Sequence, residues 1–477
     1  MYFSAKNDRF VSLFRTVKSL YMYIFLFALL FMRTIVPVST RIPGVVDSVV
    51  FSLLAISGCL LIAIDFFNTR DMFRIKYWYL LAAFLAVMVI SSVINRQFDF
   101  LGNIKTIIFS AIQFFVFLSV AGGWTREHIK KSVRCIGDLL SLFMLVCSVI
   151  SIVQFVMQIG YELPYAPGEQ RICQGFYESR LFGIYQDPNY SSVTGILSIF
   201  LCMYNFPRVK NIFVRIFYAV NIVVQYMYIV MSGSRTAEIC LLATIFVGAY
   251  FVFRKYCFKL DLKRATVILA SGLLAISCAV TVYTSVPAAK YVLQFAPSVI
   301  SAEEKPTPVT FKRADVEGNP DISNLRFKIW ESGVEIYKGH PVFGTSPRAQ
   351  MSIAKAEYPD GFVAQRNYLL HNGYLNVLVS TGTVGAAVML CYIVLVLVIV
   401  GKKFFGKRKR SYDPLALTAL MIVVVIAIAT LFLTEIFFSN SVCALLFWFF
   451  LGILLRLCQD DPEPQASEIP AACEAVQ

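Results

Sequence analysis

The sequence predicts an all-α polytopic membrane protein with about 12 transmembrane helices and a large, partly helical outer loop. Its 477 residues are 58% hydrophobic and only 15% charged, with a mean hydropathy of +0.69. Soluble domains carry roughly 25% charged residues. The apolar residues gather in runs of about 20, the length that a helix needs to cross a bilayer. The alternating segments of about 10 residues that are typical of a membrane β-barrel do not occur in the sequence.

Twelve apolar segments are candidate spans. They cover approximately residues 19–38, 46–67, 77–94, 103–121, 136–159, 190–206, 212–231, 236–254, 265–286, 373–400, 414–434 and 437–456. The first one follows a basic stretch, but it is long and has no small-x-small cleavage site, so we expect it to remain as a span. One integral membrane domain is expected over residues 1–456. The acidic, proline-containing tail over residues 457–477 is expected to be disordered and cytoplasmic.

The basic residues of the predicted loops set the orientation. If the N-terminus is cytoplasmic, the strongly basic loops at 70–76, 126–134 and 402–410 are cytoplasmic too, while the short outer loops hold isolated arginines. The formal net charge of +14 is therefore assigned to cytoplasmic loops rather than to binding of nucleic acid. Nearly all of the 12 cysteines lie in spans or on the cytoplasmic side, apart from Cys173. This placement disfavours a disulfide framework and a cysteine metal site.

Two outer segments are long, at about 160–189 and 287–372. The first part of the larger segment is polar, contains Pro and Gly, and is typical of a flexible loop. Its second part, SNLRFKIWESGVEIYKGHPVFG, is predicted to be helical, with Ser323 able to cap the start. Four apolar side chains follow at helical spacing, namely Leu325, Ile329, Trp330 and Val334. The helix is expected to lie at the membrane surface or to cover the helix bundle.

Polar residues near the outer ends of spans are the candidate functional residues. They are Arg180, Asp187 and Asn189, then Ser234 and Arg235 of the SGSR turn, then Arg326, and then His371 and Asn372. Guanidinium groups suit phosphate because their fork of donors matches its oxygens. The helix start at the SGSR turn adds backbone N–H groups that favour an anion. His371, one of only three histidines, titrates near neutral pH and can act as a general base toward a hydroxyl.

Each of these residues also has an ordinary structural explanation. Arg235 could be an interfacial cation at a helix start. Arg180 could form a loop salt bridge with Glu178 or Asp187. His371 could be a helix-entry residue with a satisfied hydrogen bond, and the Asp187 segment could be a turn that caps the next span.

Four motifs resemble those of the O-antigen ligase and polymerase superfamily. They are HNGYLNVLVSTGTVG from residue 371, SGSRTAEIC at 232–240, RLFGIYQDPNYSSVTGI at 180–196 and NLRFKIWESGVEIYKGHPVFG at 324–344. The resemblance covers roughly residues 160–400. One departure is visible, because members of the superfamily often carry Glu where this chain has Ser380.

The resemblance implies an inverting glycosyltransferase that needs neither a metal nor a cofactor. Such an enzyme moves a glycan from an undecaprenyl-diphosphate carrier to a hydroxyl of an acceptor glycan or glycolipid, on the outer face of the bacterial cytoplasmic membrane. Arg235 and Arg326 would hold the diphosphate, and His371 would be the base. Substrate binding would involve Arg180, Asn189, Asn372 and Ser234.

Polymerisation of surface polysaccharide repeats is the reaction that we expect, and the sequence leaves two alternatives open. Ligation of the glycan to a lipid A core or to a protein is less favoured, because no feature indicates such an acceptor. A lipid or solute transporter would suit twelve spans, but transporters place functional charges near the bilayer midplane. Here the exceptional charges, Arg33 and Asp65, both lie near predicted span ends. A structural scaffold would leave the arginines and the histidine unexplained.

Overall fold

The structure is a computed structural model that describes residues 2–164, 171–260, 262–301, 307–313, 323–406 and 413–459. Its helices are α1 (Tyr2–Arg33), α2 (Val36–Ser39), α3 (Gly44–Ile64), α4 (Trp78–Ile94), α5 (Phe100–Ile112), α6 (Arg126–Val156), α7 (Pro188–Asn205), α8 (Ile212–Ser232), α9 (Arg235–Lys259), α10 (Arg264–Leu293), α11 (Ala296–Ile300), α12 (Arg326–Gly339), α13 (Gln350–Glu357), α14 (Phe362–Arg366), α15 (Gly373–Phe405), α16 (Pro414–Ala429) and α17 (Val442–Gln459). The predicted tail beyond residue 459 lies outside the described residues, as do 302–306 and 314–322 of the predicted flexible loop.

Each of the twelve predicted spans overlaps one helix, namely α1, α3 to α10 or α15 to α17. Within the described ranges, nine helices are long and apolar enough to cross a membrane, and α4 and α16 are apolar but shorter. The protein is therefore an all-α, multi-pass membrane protein, as predicted. The remaining long helix, α7, is enclosed by the others, because it packs against α6, α8, α9 and α16 and most of its side chains are buried.

Small polar side chains of α7 tie it to α8. Ser192 donates to the hydroxyl of Ser232 over 2.9 Å, and the hydroxyls of Ser191 and Tyr228 lie 2.8 Å apart. All four side chains are buried, where an unpaired hydroxyl would be costly. These bonds therefore fix the first turn of α7 against the last turns of α8.

A small antiparallel sheet, which the sequence analysis did not predict, precedes α7. Its strands are β1 (Gly160–Glu162), β2 (Cys173–Tyr177) and β3 (Arg180–Gly183), in the order β1-β2-β3. Glu178 and Ser179 connect β2 to β3 with φ values of 47° and 60°, as in a two-residue type I′ hairpin turn. Because β3 packs against α6, its first residue, Arg180, has a fixed position at the end of the bundle.

The helix of the large outer loop is α12. It begins at Arg326, and Ser323 accepts a hydrogen bond from the N–H of Phe327 over 3.2 Å, so Ser323 contacts the first turn from outside the helix. The buried face of α12 consists of Ile329, Ser332, Gly333 and Ile336. The prediction that Val334 belongs to the apolar face is wrong, because its side chain is 38% exposed. This face packs against α15 and α14.

Helix α15 is interrupted at Gly382, whose φ and ψ are 63° and −168°. Residues 341–346 lie in the gap and bind the main-chain groups that the break releases. Four bonds do this: Thr383 N to Pro341 O (2.8 Å), Val384 N to Val342 O (3.2 Å), Thr345 N to Val379 O (2.9 Å) and Ser346 N to Ser380 O (2.9 Å). The end of the large outer loop is thereby anchored within α15.

Gly382→Ala is expected to prevent stable folding. The added Cβ would lie 2.3 Å from the carbonyl oxygen of Val342, and this backbone conformation is essentially restricted to glycine, so that strain alone costs about 1–3 kcal/mol. The matched control is Gly401→Ala in the same helix, where the new Cβ would meet no atom within 4 Å. Thermal unfolding and gel filtration in detergent measure both variants. A Gly382→Ala variant as stable as the parent would contradict the interpretation of the break.

Candidate active site

The candidate residues lie at one end of the bundle, which we call the site end. There α8 ends, and α7, α9 and α15 begin. Arg180 donates from Nε to the carbonyl oxygen of Ser232 over 2.9 Å. The N–H of Gly373 donates to Thr430 O (2.8 Å) and Leu433 O (3.1 Å). These contacts connect the start of α15 to the segment after α16, and the sheet to the α8–α9 turn.

The α8–α9 turn presents Arg235 as the first residue of α9. Gly233, with a φ of 60°, ends α8, and Ser234 caps α9 by accepting the N–H of Ala237 over 3.2 Å. Ser234 is fully buried. Ser234 is thus the N-cap residue of α9, directly before Arg235. Asn372 is likewise the N-cap residue of α15, because its side chain accepts hydrogen bonds from the N–H groups of residues 374 and 375.

Arg180 and Asn189 contact each other beside this turn. Arg180 donates from Nη2 to Asn189 Oδ1 over 3.2 Å. The considered salt bridge to Glu178 does not form, because Glu178 binds Arg171 instead, over 2.8 Å. Asp187 caps α7 by accepting the N–H of Asn189 over 2.6 Å. The Arg180 side chain therefore spans the gap between α7 and the end of α8.

Three guanidinium groups form a cluster, which we define as Arg235, Arg313 and Arg326. Burial and then the positive charges of Arg235 and Arg313 lower the pKa of Arg326, while the carboxylate of Asp187 partly opposes them. Arg313 donates to the carbonyl oxygen of Gly233 over 3.1 Å, at the turn that carries Arg235. A partly buried guanidinium group with two further guanidinium groups near it is suited to an anion with several oxygens.

His371 lies next to this cluster. Its φ of 47° belongs to a tight turn that Asn372 closes at the start of α15. Burial lowers the pKa of His371, the Asp187 carboxylate raises it, and Arg326 lowers it. The net direction is downward, so the imidazole is neutral near pH 7. A neutral imidazole can accept a proton from a hydroxyl group.

The structure brings the predicted residues together at the site end, although they come from four distant parts of the sequence. Arg235 and Arg313 act electrostatically on Arg326, Arg326 acts on His371, and the Asp187 carboxylate acts on both Arg326 and His371. Arg313 was missed, because it lies in the polar segment that the sequence analysis took for a flexible loop. In the described part of the chain, no group of three His, Cys, Asp or Glu side chains is placed to hold a metal ion.

The sequence model of the family described as O-antigen ligase matches residues 220–390. The match supports membership of this chain in the O-antigen ligase/polymerase superfamily. The matched segment contains the whole guanidinium cluster, His371 and Asn372, whereas Arg180 and Asn189 precede it. None of the curated proteins compared with the chain matches it. The matched family suggests a membrane protein of the glycan ligase or polymerase type.

Proposed function

We propose that the protein is an inverting glycosyltransferase that moves a glycan from an undecaprenyl-diphosphate carrier to an acceptor hydroxyl. The observation that carries this proposal is a histidine of lowered pKa next to Arg326 and its two neighbouring guanidinium groups. The cluster supplies a place for a diphosphate, and the histidine supplies a base beside it. The site end would face the outside of the bacterial cytoplasmic membrane, with both chain termini in the cytoplasm.

The proposed reaction is a single displacement. The acceptor oxygen attacks the anomeric carbon of the donor sugar and forms the new glycosidic bond, while the bond from that carbon to the diphosphate oxygen breaks. His371 takes the proton of the hydroxyl, and the diphosphate leaves with the bonding electrons. The developing negative charge is stabilised by Arg235, Arg313 and Arg326, which need no reorganisation. One displacement inverts the anomeric centre.

Polymerisation of lipid-linked repeats is the proposed outcome, because both substrates would then reach the site from the membrane. Ligation to a lipid A core or a protein is the second candidate, and the match to the O-antigen ligase family favours it. Both reactions need the same base and the same cations. They differ only in the molecule that carries the attacking hydroxyl.

The transporter alternative receives some support from the interruption of α15, since broken helices often bind transported ions. Here, however, residues 341–346 of the chain itself bind the main-chain groups at the break. The charged residues of the candidate site lie at the site end, outside the long helices or in their first turn. A fixed site at one end suits an enzyme better than alternating access.

A transfer assay tests the proposal and the predicted independence from metal. Purified protein in detergent receives undecaprenyl-diphosphate-linked glycan, extracted from source cells that lack this chain, with or without EDTA. We expect product at the same rate in both samples, because no step needs a metal ion. A ladder of products indicates a polymerase, and a single addition to a supplied glycolipid indicates a ligase. Absence of product, with lipid crossing the bilayer of liposomes instead, would refute the enzyme and favour a transporter.

A further inference from the structure

A cavity of about 310 Å³ adjoins His371. Its walls come from the end of α1, the start of α7, the segment before α15 and the segment between α16 and α17. Most of the side chains that line it are able to form hydrogen bonds, among them Asp187, Tyr190, Ser191, His371, Glu435 and Ser441. None of the three arginines of the guanidinium cluster lines it. The cavity and the guanidinium cluster therefore share no residue, although Asp187, a wall of the cavity, also acts on Arg326.

Glu435 is the most unusual wall of this cavity, because a carboxyl group with no solvent exposure normally needs charged or polar partners. Ser441 donates to its Oε2 over 3.2 Å. Its Oε1 has no hydrogen-bond partner among the described residues, although the thiol of Cys443, a weak donor, lies alongside. The Nδ2 atom of Asn440, another wall residue, also lacks a partner among them.

Two unsatisfied polar groups in one cavity indicate a polar occupant, because each buried group left unpaired costs about 1–3 kcal/mol. Burial raises the pKa of Glu435 to about 8, and the nearby Asp187 raises it further. The carboxyl group is therefore mainly neutral at pH 7. A neutral carboxyl group both donates and accepts a hydrogen bond, which suits a neutral hydroxyl-bearing ligand better than a cation.

Size and access also fit a small polar ligand. Ligand pockets usually have volumes of about 300–1,000 Å³, so this cavity is at the lower end. Three of its wall residues, Arg33, Gln186 and Leu369, are solvent-exposed, so the cavity has an entrance at the surface. Its polar lining does not suit a prenyl chain, whose burial would leave these groups unpaired.

We propose that this cavity binds the acceptor sugar ring that carries the attacking hydroxyl, with Glu435 and Asn440 hydrogen-bonded to its other hydroxyl groups. This inference rests on the proposed transferase function. The position of the cavity supports it, because His371 is one of its walls and Arg326 of the guanidinium cluster acts on His371. An acceptor ring in the cavity would present its hydroxyl to the base, and the hydroxyl oxygen would attack the anomeric carbon on the side opposite to the leaving diphosphate.

The test separates acceptor binding from donor binding. The donor in this assay is the lipid-linked glycan. Two acceptors are compared, namely the same glycan released by mild acid and the glycolipid fraction of the same cells. The acceptor that the parent protein elongates is then used for all variants. We expect Glu435→Leu to raise the KM for the acceptor at least tenfold and to leave the KM for the donor within twofold. Glu435→Gln, an amide that donates and accepts like the neutral acid, is expected to stay within threefold of the parent.

Asn440→Ala provides a second variant, with an expected smaller rise in the acceptor KM. Ser439→Ala is the control, since Ser439 is in the same segment but is not a wall of the cavity. Thermal unfolding of each variant checks the fold. An unchanged acceptor KM in both Glu435→Leu and Asn440→Ala, or an equal rise in the donor KM, would overturn the inference. So would a Gln variant as impaired as the Leu variant. An inactive parent protein would instead refute the proposed function.

Discussion

His371→Ala is expected to lower the rate of glycan transfer by about 10²–10⁴-fold, the usual contribution of a general base. The protein should still fold and insert into the membrane. Because His371 has a φ of 47°, His371→Asn is the better variant for measuring kcat. Asparagine tolerates this left-handed conformation more readily than most residues, so the base is removed with little backbone strain.

His340→Ala is the matched control for the histidine. His340 also belongs to the large outer loop, and its Nε2 lies 2.9 Å from a carboxylate oxygen of Glu357, away from the guanidinium cluster. We expect its transfer rate to stay within about threefold of the parent, since a surface ion pair contributes at most about 1 kcal/mol. Equal losses in the His340 and His371 variants would refute a specific role of His371.

The pH profile provides an independent readout of the same residue. The base must be neutral to accept a proton, so the rate should fall as the pH drops through the pKa of His371. Burial lowers that pKa, so the acid limb of the kcat/KM profile should lie below the ordinary histidine value of about 6.5. The His371→Asn variant should lose this limb. A limb that persists in the variant would assign the titration to another group.

The helices were predictable because hydropathy is a local property of the sequence. A segment of about 20 apolar residues that crosses a bilayer must form a helix, because the backbone groups find no hydrogen-bond partners in lipid. Each of the twelve predicted segments overlaps one helix of the structure. The sheet at residues 160–183 was not predicted, since its strands are only three to five residues long. The break at Gly382 was not predicted either, because it depends on residues 341–346, which are distant in the sequence.

The site was partly predictable because its residues are rare in their context. A histidine or an arginine at a span end stands out, and the order of four motifs indicated a family. Two features depend on tertiary contacts. Arg313 contacts the α8–α9 turn from a segment without helical or strand periodicity, and Glu435 acquires its raised pKa only because the surrounding helices exclude water from it. Val334 was assigned to the wrong face because several spacings fit a short helix equally well.

Removing one guanidinium group from the cluster is the change with the second large expected effect, because transfer activity and stability should change in opposite directions. Arg326→Met keeps most of the apolar stem but removes the charge. We expect kcat to fall by about 10²–10³-fold, the usual loss when one group that stabilises the developing charge is removed. The unfolding temperature should stay equal or rise, because Arg326 is partly buried and is repelled by Arg235 and Arg313.

Inorganic diphosphate tests whether the same arginines account for both the loss of transfer activity and the change in unfolding temperature. It should raise the unfolding temperature of the parent protein and inhibit transfer, since an anion that binds only the folded state stabilises it. Both responses should be at least tenfold weaker in Arg326→Met and in Arg235→Met. Arg326→Lys should recover part of the diphosphate binding, because lysine keeps the charge but lacks the fork of donors.

Arg41→Ala is the control for the cluster, because Arg41 is an exposed arginine of the loop between α2 and α3. Its diphosphate response should equal that of the parent. If Arg326→Met still responds to diphosphate like the parent, the anion binds elsewhere and the cluster is not the leaving-group site. If Arg326→Met loses stability as well as activity, the guanidinium has a structural role instead. Only the combination of lost transfer, lost diphosphate response and retained stability identifies Arg326 as a partly buried cation whose role is to bind the diphosphate.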